Sequence, residues 1–221
     1  MKRRPSLELL DIDAGSAREI AGTIRDLQMF NQYFGGTSTT ERLVRAALGA
    51  HPGRGATMLE VAAGNGYVPA EVRKRLASRV DLQITLLDRS RRHLNGNGRG
   101  VIADALALPF TENAFDLVSC NLFAHHLEAE ELRSFAREAL RVCRVAFLIN
   151  DLVRGPVHLA LAYAGFPLYR SPMTRNDAPA SVRQAYTPDE MREILEPCGA
   201  ARITISRHYL CRMGIVVWKA V

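Results

Sequence analysis

Three acidic residues occupy positions from which their carboxylates could serve one ligand. Glu60 lies inside a short apolar segment, Asp88 ends a second one, and Asp104 follows a third. If these segments are parallel strands of one sheet, their carboxyl ends line a common crevice. A carboxylate at the second strand end suits the two hydroxyls of a ribose, and one at the third suits an exocyclic adenine amine. For each residue taken alone, capping of a helix or a turn is the alternative explanation.

A run of small residues follows the first apolar segment. It consists of Ala62, Ala63, Gly64, Asn65 and Gly66. The segment at 57–61 indicates a buried strand, and the amphipathic residues after the run predict a helix. Small side chains let a ligand approach the backbone, and a helix N-terminus offers free N–H groups. Such turns are common, so the turn alone does not establish a site.

The elements that position these residues alternate between strands and helices. A helix predicted at 16–33 and a second one, opened by a capping box at Ser38–Glu41, precede the first strand. The remaining predicted strands are 80–88, 101–103, 115–121, 145–150, 201–206 and 210–218. We therefore expect an α/β fold: a Rossmann-like, doubly wound, seven-stranded sheet, mostly parallel, with an antiparallel last hairpin and an N-terminal helical cap.

The expected domain organisation follows this pattern. Residues 1–50 form a helical cap or lid, beginning with a loosely held leader, and residues 51–221 form the sheet domain. An interruption at about 152–186 forms an insert, with a short helix at 156–166 and a loop after it. Long interruptions between repeat units are usually functional.

Composition excludes some classes of protein. The net charge of +6 is spread along the chain, which favours solvated faces over a nucleic-acid surface. The four cysteines are scattered, and neither a signal peptide nor a membrane span is evident. We expect a cytoplasmic protein without a metal, as a monomer or homodimer.

Several motifs together resemble the class I S-adenosylmethionine-dependent methyltransferases. The resemblance is carried by the closing strand pair and by LEVAAGNG (59–66), LLDRS (86–90), ADALALPF (103–110) and FDLVSCNLFAHHL (115–127). It is closest to the small-molecule methyltransferases of ubiquinone and menaquinone biosynthesis. Ala62 replaces the first glycine of the family's turn, and alanine is compatible there if its φ is negative.

The resemblance implies a role for each matching position. Glu60 would hold the methionine amino group, directly or through water, and the backbone of Ala62–Gly66 would approach the methionine portion. Asp88 would bind the ribose diol and Arg89 would flank the adenine. The adenine amine and a ring nitrogen would contact Asp104 and the Ala105 amide, and the sulfonium would lie beside Asn121 and Leu122.

Other residues are candidates for the acceptor side. A histidine near its ordinary pKa can deprotonate a phenol, so His125 and His126 are candidate bases, and Asp151 could orient an acceptor hydroxyl. Packing and helix capping are the alternatives for all three. Candidates for the acceptor pocket or the lid are Tyr33, Phe34, Asn150, Arg154, Tyr163 and Tyr169.

The predicted activity is transfer of a methyl group from S-adenosylmethionine to oxygen of a small hydrophobic or aromatic acceptor such as a phenol, a quinol or a polyketide-like ring. Methylation of carbon, or of RNA or protein, is the alternative. A third hypothesis is a catalytically silent chain with this fold. We do not expect nucleic acid as a partner, because basic residues are not interleaved with aromatic ones.

Overall fold

The computed structural model describes residues 1–49, 55–91, 94, 99–209 and 211–220. Its strands are Ala56–Val61 (β1), Leu82–Asp88 (β2), Arg99–Ile102 (β3), Phe115–Asn121 (β4), Cys143–Leu152 (β5), Ala200–His208 (β6) and Arg212–Lys219 (β7). Its α-helices are Ala17–Tyr33 (α1), Gly36–Leu48 (α2), Tyr67–Leu76 (α3), Ala129–Val142 (α4), Pro156–Ala164 (α5), Pro172–Gln184 (α6) and Pro188–Leu195 (α7).

The seven strands form one sheet in the order β3-β2-β1-β4-β5-β7-β6. The first five strands pair in parallel, and β7 pairs antiparallel with both β5 and β6. This confirms the predicted Rossmann-like sheet with its antiparallel final hairpin. The chain leaves β1 toward β2 and β3, then returns to place β4 on the other side of β1. That reversal opens a crevice at the carboxyl ends of β1 and β4.

Helices cover both faces of the sheet because successive side chains of a strand point to opposite faces. Leu59 of β1 belongs to a buried cluster with Phe135 of α4 and Ile194 of α7. Met58, the residue before Leu59, packs in a second cluster with Leu43 of α2 and Val72 of α3. β1 is therefore buried on both sides, which fixes the position of Glu60 at its centre.

Several helix predictions are confirmed and one start is wrong. Ser16 and Glu19 form the capping box of α1. α2, however, begins at Gly36 with Gly35 as its N-cap, so the predicted capping box at Ser38–Glu41 lies inside the helix. Gly35 adopts a φ of 83°, which lets the chain turn from α1 directly into α2.

The second half of the insert is a helix and not the predicted loop. α6 is capped by Ser171, whose hydroxyl accepts the N–H of Met173, and has Pro172 in its first turn. Proline at the start of a helix is favourable because its missing N–H needs no partner there. The polar, proline-containing sequence of α6 lacks a clear apolar periodicity, and Pro179 lies within the helix. Tertiary contacts therefore stabilise it.

The first residues are not the loosely held leader that the sequence suggested. Arg3 donates hydrogen bonds to the carbonyl oxygens of Gln184, His125 and Leu127. The backbone N–H groups of Leu9 and Leu10 donate to the carboxylate of Asp177 on α6. This N-terminal segment, residues 3–13, thus packs across the helices that follow β4 and β5. Among the described residues, no helix is long and apolar enough to cross a membrane.

The fully buried Asp26 joins α1 to α6, which predicts a large effect on stability. Its carboxylate accepts the N–H groups of Arg170 and Ser171 and the hydroxyl of Thr174. Asp26→Ala should lower the free energy of unfolding by about 3 kcal/mol, because buried donors to a charged group lose their acceptor. Urea denaturation measures this change. The exposed Asp81 provides the control: Asp81→Ala should change stability by less than about 0.5 kcal/mol, and equal losses would contradict the assignment.

Candidate functional site

The small-residue turn after β1 forms one wall of the crevice. Ala62 has a φ of 53°, so the expectation of a negative φ is wrong. The turn is nevertheless held, since the N–H of Ala63 donates to the carbonyl of Leu87 in β2. Gly66 has a φ of 68°, and a Cβ there would lie 2.6 Å from Cδ1 of Leu86. Glycine is therefore required at that position, and the turn brings the backbone close to the crevice.

Asp88 links this turn to the end of β2. Its carboxylate oxygens accept the N–H of Gly64 at 3.0 Å and the N–H of Ser90 at 2.9 Å. These two bonds fix the carboxylate at the junction of the turn and the strand end. Asp104 is exposed, and one of its oxygens accepts the N–H of Leu106. Both carboxylates line the same large cavity, as the sequence analysis expected.

Glu60 is the most constrained acidic residue of the crevice. Its side chain is buried, and Oε1 accepts a hydrogen bond of 2.6 Å from Nδ2 of Asn121. Among the described residues, Oε2 has no hydrogen-bond partner although it is buried. Burial raises the pKa of Glu60 to about 7, although Asn121 and the neighbouring Ser119 act to lower it. A buried carboxylate oxygen of this kind fits a cationic donor arriving from the cavity, such as the amino group of a methionine moiety.

Asn121 connects Glu60 to a buried polar network behind the crevice. Its Oδ1 accepts hydrogen bonds from Thr40 of α2 and from Nδ2 of Asn150 on β5. The amide of Asn150 also donates to the carbonyl of Gly36, and its Oδ1 accepts from Arg212. Asn150 was predicted to line the acceptor pocket. It lies instead between strand and helix, and its contacts fix Asn121.

His125 follows β4 and is held from behind by Asp151. Its Nδ1 lies 2.7 Å from Oδ1 of Asp151, and its backbone N–H donates to Oδ2 of the same carboxylate. Burial alone would lower the pKa of His125, but the carboxylates of Asp151 and Glu8 raise it to about 10. The premise of an ordinary pKa therefore does not hold for His125, and its role as a base stays a prediction.

His126 makes a similar contact on the outer side. Its Nδ1 lies 2.8 Å from Oδ2 of Asp11 in the N-terminal segment. The two imidazole centroids are 4.2 Å apart, and both rings line the cavity. Arg89 donates to the carbonyl oxygen of Asp11 from the other side. The N-terminal segment thereby bridges the end of β2 and the turn after β4.

The cavity that joins these residues has a volume of about 1520 Å³. Its polar end holds Glu60, Ala62–Asn65, Asp88, Asp104 and Ala105. Its other end is formed by apolar side chains of α1, of α5 and of the turn after α5, namely Leu27, Phe30, Leu161, Ala162, Leu168 and Tyr169. Asn121, Leu122 and the two histidines lie between these ends. Small-ligand pockets typically have volumes of about 300–1000 Å³, so this cavity has room for two molecules.

Not every predicted acceptor or lid residue contacts this cavity. Phe34 and Tyr169 line it, and the hydroxyl of Tyr169 donates to the carbonyl of Ala162. Residues predicted for the site but absent from the lining are Tyr33, Gly66, Asn150, Asp151, Arg154 and Tyr163. Arg154 pairs instead with Glu190 and the carbonyl of Ala185, and Tyr163 is exposed and pairs with Arg183.

The sequence analysis missed two acidic residues of the site, Glu8 and Asp11. Glu8 is buried, and its Oε1 accepts hydrogen bonds from Ser181 and Gln184. Both acids lie in a short segment without helical or strand periodicity, so no sequence pattern marked them. The partners of Glu8 lie on α6 and the histidine that contacts Asp11 follows β4, so only the folded chain brings these groups together.

Comparison with known proteins agrees with this geometry. Residues 59–146 match a family model described as a methyltransferase domain. Searching curated proteins gives no match.

Solved structures share the fold at low sequence identity. The plantazolicin methyltransferase in complex with S-adenosylhomocysteine has a TM-score of 0.66 at 13% identity, over 96% of this chain and 94% of its own. Human N-acetylserotonin methyltransferase in complex with S-adenosylmethionine has a TM-score of 0.63 at 15% identity, over 99% of this chain and 63% of its own. Magnesium protoporphyrin IX methyltransferase from Synechocystis has a TM-score of 0.55 at 16% identity, over 85% of this chain and 84% of its own.

The matched domain covers β1 to the middle of β5, which is the part of the sheet that forms the crevice. The buried, unpartnered oxygen of Glu60 fits the amino group of an S-adenosylmethionine cofactor. Residues 59–146 therefore match a methyltransferase domain, and the chain shares the class I fold of solved S-adenosylmethionine-dependent methyltransferases.

Proposed function

We propose that this chain is an S-adenosylmethionine-dependent methyltransferase and that it transfers the methyl group to oxygen of a small hydrophobic or aromatic molecule. The observation that carries the proposal is the cavity of about 1520 Å³, with a polar end at the strand termini and an apolar end at α1 and α5. The polar end fits a nucleoside with a methionine chain. The apolar end leaves room for a second, largely hydrophobic molecule, whose burial is favourable by about 25 cal/mol per Å².

The polar end supplies the groups that a nucleoside and an amino acid require. Glu60 would accept the methionine ammonium at Oε2, and the backbone of Ala62–Gly66 would lie along the methionine chain. Asp88, at the end of β2, would accept the ribose hydroxyls, and Arg89 would flank the adenine. Asp104 and the Ala105 amide would contact the adenine edge. Bound S-adenosylmethionine supplies an electrophilic methyl group on a sulfonium.

The chain's contribution to the reaction is mainly to position the acceptor. Leu122 and Asn121 would flank the sulfonium end, since they lie between the two ends of the cavity. His125 and His126 form the adjacent polar corner, where an acceptor oxygen would be oriented. Asp151 would act through His125, whose ring it fixes. Methylation of carbon remains the alternative, because it needs the same apolar cavity without this polar corner.

The N-terminal cap at residues 1–50 is proposed as a lid. Residues 3–13 already lie over the cavity, and Phe34 at the end of α1 contributes to its lining. A lid excludes water from the sulfonium and from the acceptor oxygen. Two structural neighbours are named for small acceptors, N-acetylserotonin and magnesium protoporphyrin IX, which supports a small-molecule acceptor here.

The ribose contact can be tested at the two ends of β2. Asp88→Asn should weaken binding of S-adenosylhomocysteine by about 10- to 100-fold, because hydrogen bonds to a charged acceptor are worth roughly 1.5–3 kcal/mol. Asp81→Asn, at the other end of the same strand, is the matched control and should bind normally. Isothermal titration calorimetry measures both, after thermal denaturation has checked folding. Equal affinity of the two variants would exclude the ribose role.

The raised pKa of Glu60 predicts a pH-dependent affinity. The free carboxylate is half protonated near pH 7 and must ionise to hold an ammonium group, so binding releases a proton. Affinity for S-adenosylhomocysteine should therefore fall as the pH drops through the pKa, to about one tenth of its plateau one pH unit below it. Titration of the wild type and of Glu60→Gln at several pH values measures this. An identical pH profile in both proteins would disprove the assignment.

A charged substitution at the rim of the cavity tests whether its apolar end binds the acceptor. Leu168, which is exposed at the rim, can be replaced by Asp without filling the core. Leu168→Asp should raise the KM for a phenolic acceptor and leave the affinity for S-adenosylhomocysteine unchanged. Val157→Asp, an exposed position of α5 outside the lining, is the control. Transfer of tritiated methyl groups to a phenol panel and to RNA is the readout, and label found only in RNA would overturn the proposed acceptor class.

A further inference from the structure

The corner beside the two histidines contains three side chains with metal-ligand chemistry. Oε1 of Glu8 lies 3.5 Å from Nε2 of His125 and 3.9 Å from Nε2 of His126. One ligand atom from each of the three residues lies within 4.8 Å of the others. Both separations are ion-pair distances, and the first lies at the outer limit of a hydrogen bond. A tetrahedral metal site with ligand bonds of about 2.1 Å has ligand–ligand edges of about 3.4 Å, which is close to the two observed separations.

The other nitrogen of each ring is already occupied by a carboxylate. Nδ1 of His125 contacts Asp151 at 2.7 Å, and Nδ1 of His126 contacts Asp11 at 2.8 Å. This arrangement holds the Nδ1 proton and directs both Nε2 atoms toward Glu8. Carboxylate–histidine pairs of this kind are the usual support of metal-binding histidines, because they fix the tautomer and the ring orientation. Here two such supported histidines face one carboxylate, whereas an ion pair would need only one.

Glu8 is itself held in place from α6. Ser181 and Gln184 donate to its Oε1, at 2.5 and 2.7 Å. These two hydrogen bonds therefore fix the carboxylate in the position where it faces the histidines. Glu8, His125 and His126 all line the large cavity, which leaves the open side of the cluster facing the proposed acceptor.

We propose that Glu8, His125 and His126 bind a divalent transition metal ion of the Zn²⁺ type, with an open coordination position toward the cavity. Two histidines and one glutamate are a ligand set used for zinc where one position stays open for catalysis. The ion would replace the Nε2 proton of His125. The sequence analysis expected no metal because the four cysteines are scattered; Glu8, 117 positions from His125, forms no motif with it that would have indicated a site.

The role of the site rests on the proposed function. An acceptor hydroxyl bound at the open position would become more acidic, as water does on zinc. Its proton leaves to solvent, a lone pair of the oxygen forms the new C–O bond, and the C–S bond of the methyl donor breaks. The products are the methyl ether and neutral S-adenosylhomocysteine, so charge balances with the released proton.

Co²⁺ provides a test that does not require an acceptor. Protein freed of metal by chelation and then titrated with Co²⁺ should develop the visible absorption of a four- or five-coordinate ion, saturating at one equivalent. Glu8→Gln and His126→Gln should abolish this signal. Asp11→Asn should retain the spectrum and weaken binding by about 10- to 100-fold, as loss of a supporting carboxylate does.

His158 is the matched control, because it lines the same cavity outside the cluster and bonds to the carbonyl of Val153. His158→Gln should bind Co²⁺ like the wild type. Equal Co²⁺ binding by Glu8→Gln and the wild type, or no saturable signal in the wild type, would overturn the proposal. Methyl transfer to a phenol by protein that binds no Co²⁺ would also overturn it, and would leave the proposed function intact.

Discussion

The burial of Glu60 is the constraint on which the crevice depends. A carboxylate at the centre of a strand that is covered on both faces costs free energy unless its oxygens are paired. One oxygen is paired through Asn121, which is itself held by Thr40 and Asn150. The other has no partner among the described residues, so the folded chain carries a buried acceptor directed at its ligand. Stability and binding are thus coupled at one atom.

The sheet topology explains why the remaining groups gather around that atom. β1 lies between β2 and β4 in the strand order, so the turns after these three strands share one edge. Asp88 follows from β2, and Asn121 and His125 follow from β4. The insert then returns across this edge as α5 and α6, adding an apolar wall and the anchors for the N-terminal segment. One edge therefore combines a polar site for the nucleoside with a separate apolar chamber.

The sequence predicts the part of this site that is local to single strands. Asp88, the small-residue turn and the parallel sheet can be predicted from short apolar segments and from the acidic or small residues that end them. These patterns are local to each strand and do not depend on distant contacts. The start of α2 and the helix α6 were missed because long-range contacts help to decide them: Asp26 of α1 accepts the N–H groups of Arg170 and Ser171, the two residues just before α6. The position of Glu8 was missed for the same reason. Long-range pairs of this kind leave no periodic trace in a sequence.

The left-handed conformation of Ala62 has a consequence for the thermodynamics of ligand binding. A residue with a Cβ costs about 1–2 kcal/mol in this region, which glycine avoids. Alanine also samples fewer backbone states than glycine when the chain is free. In the folded chain the bonds from Ala63 to Leu87 and from Gly64 to Asp88 hold the turn, so less conformational entropy is lost when a ligand associates. The positive φ of Ala62 thus lowers the folding stability, while the turn that lines the crevice stays fixed for the ligand.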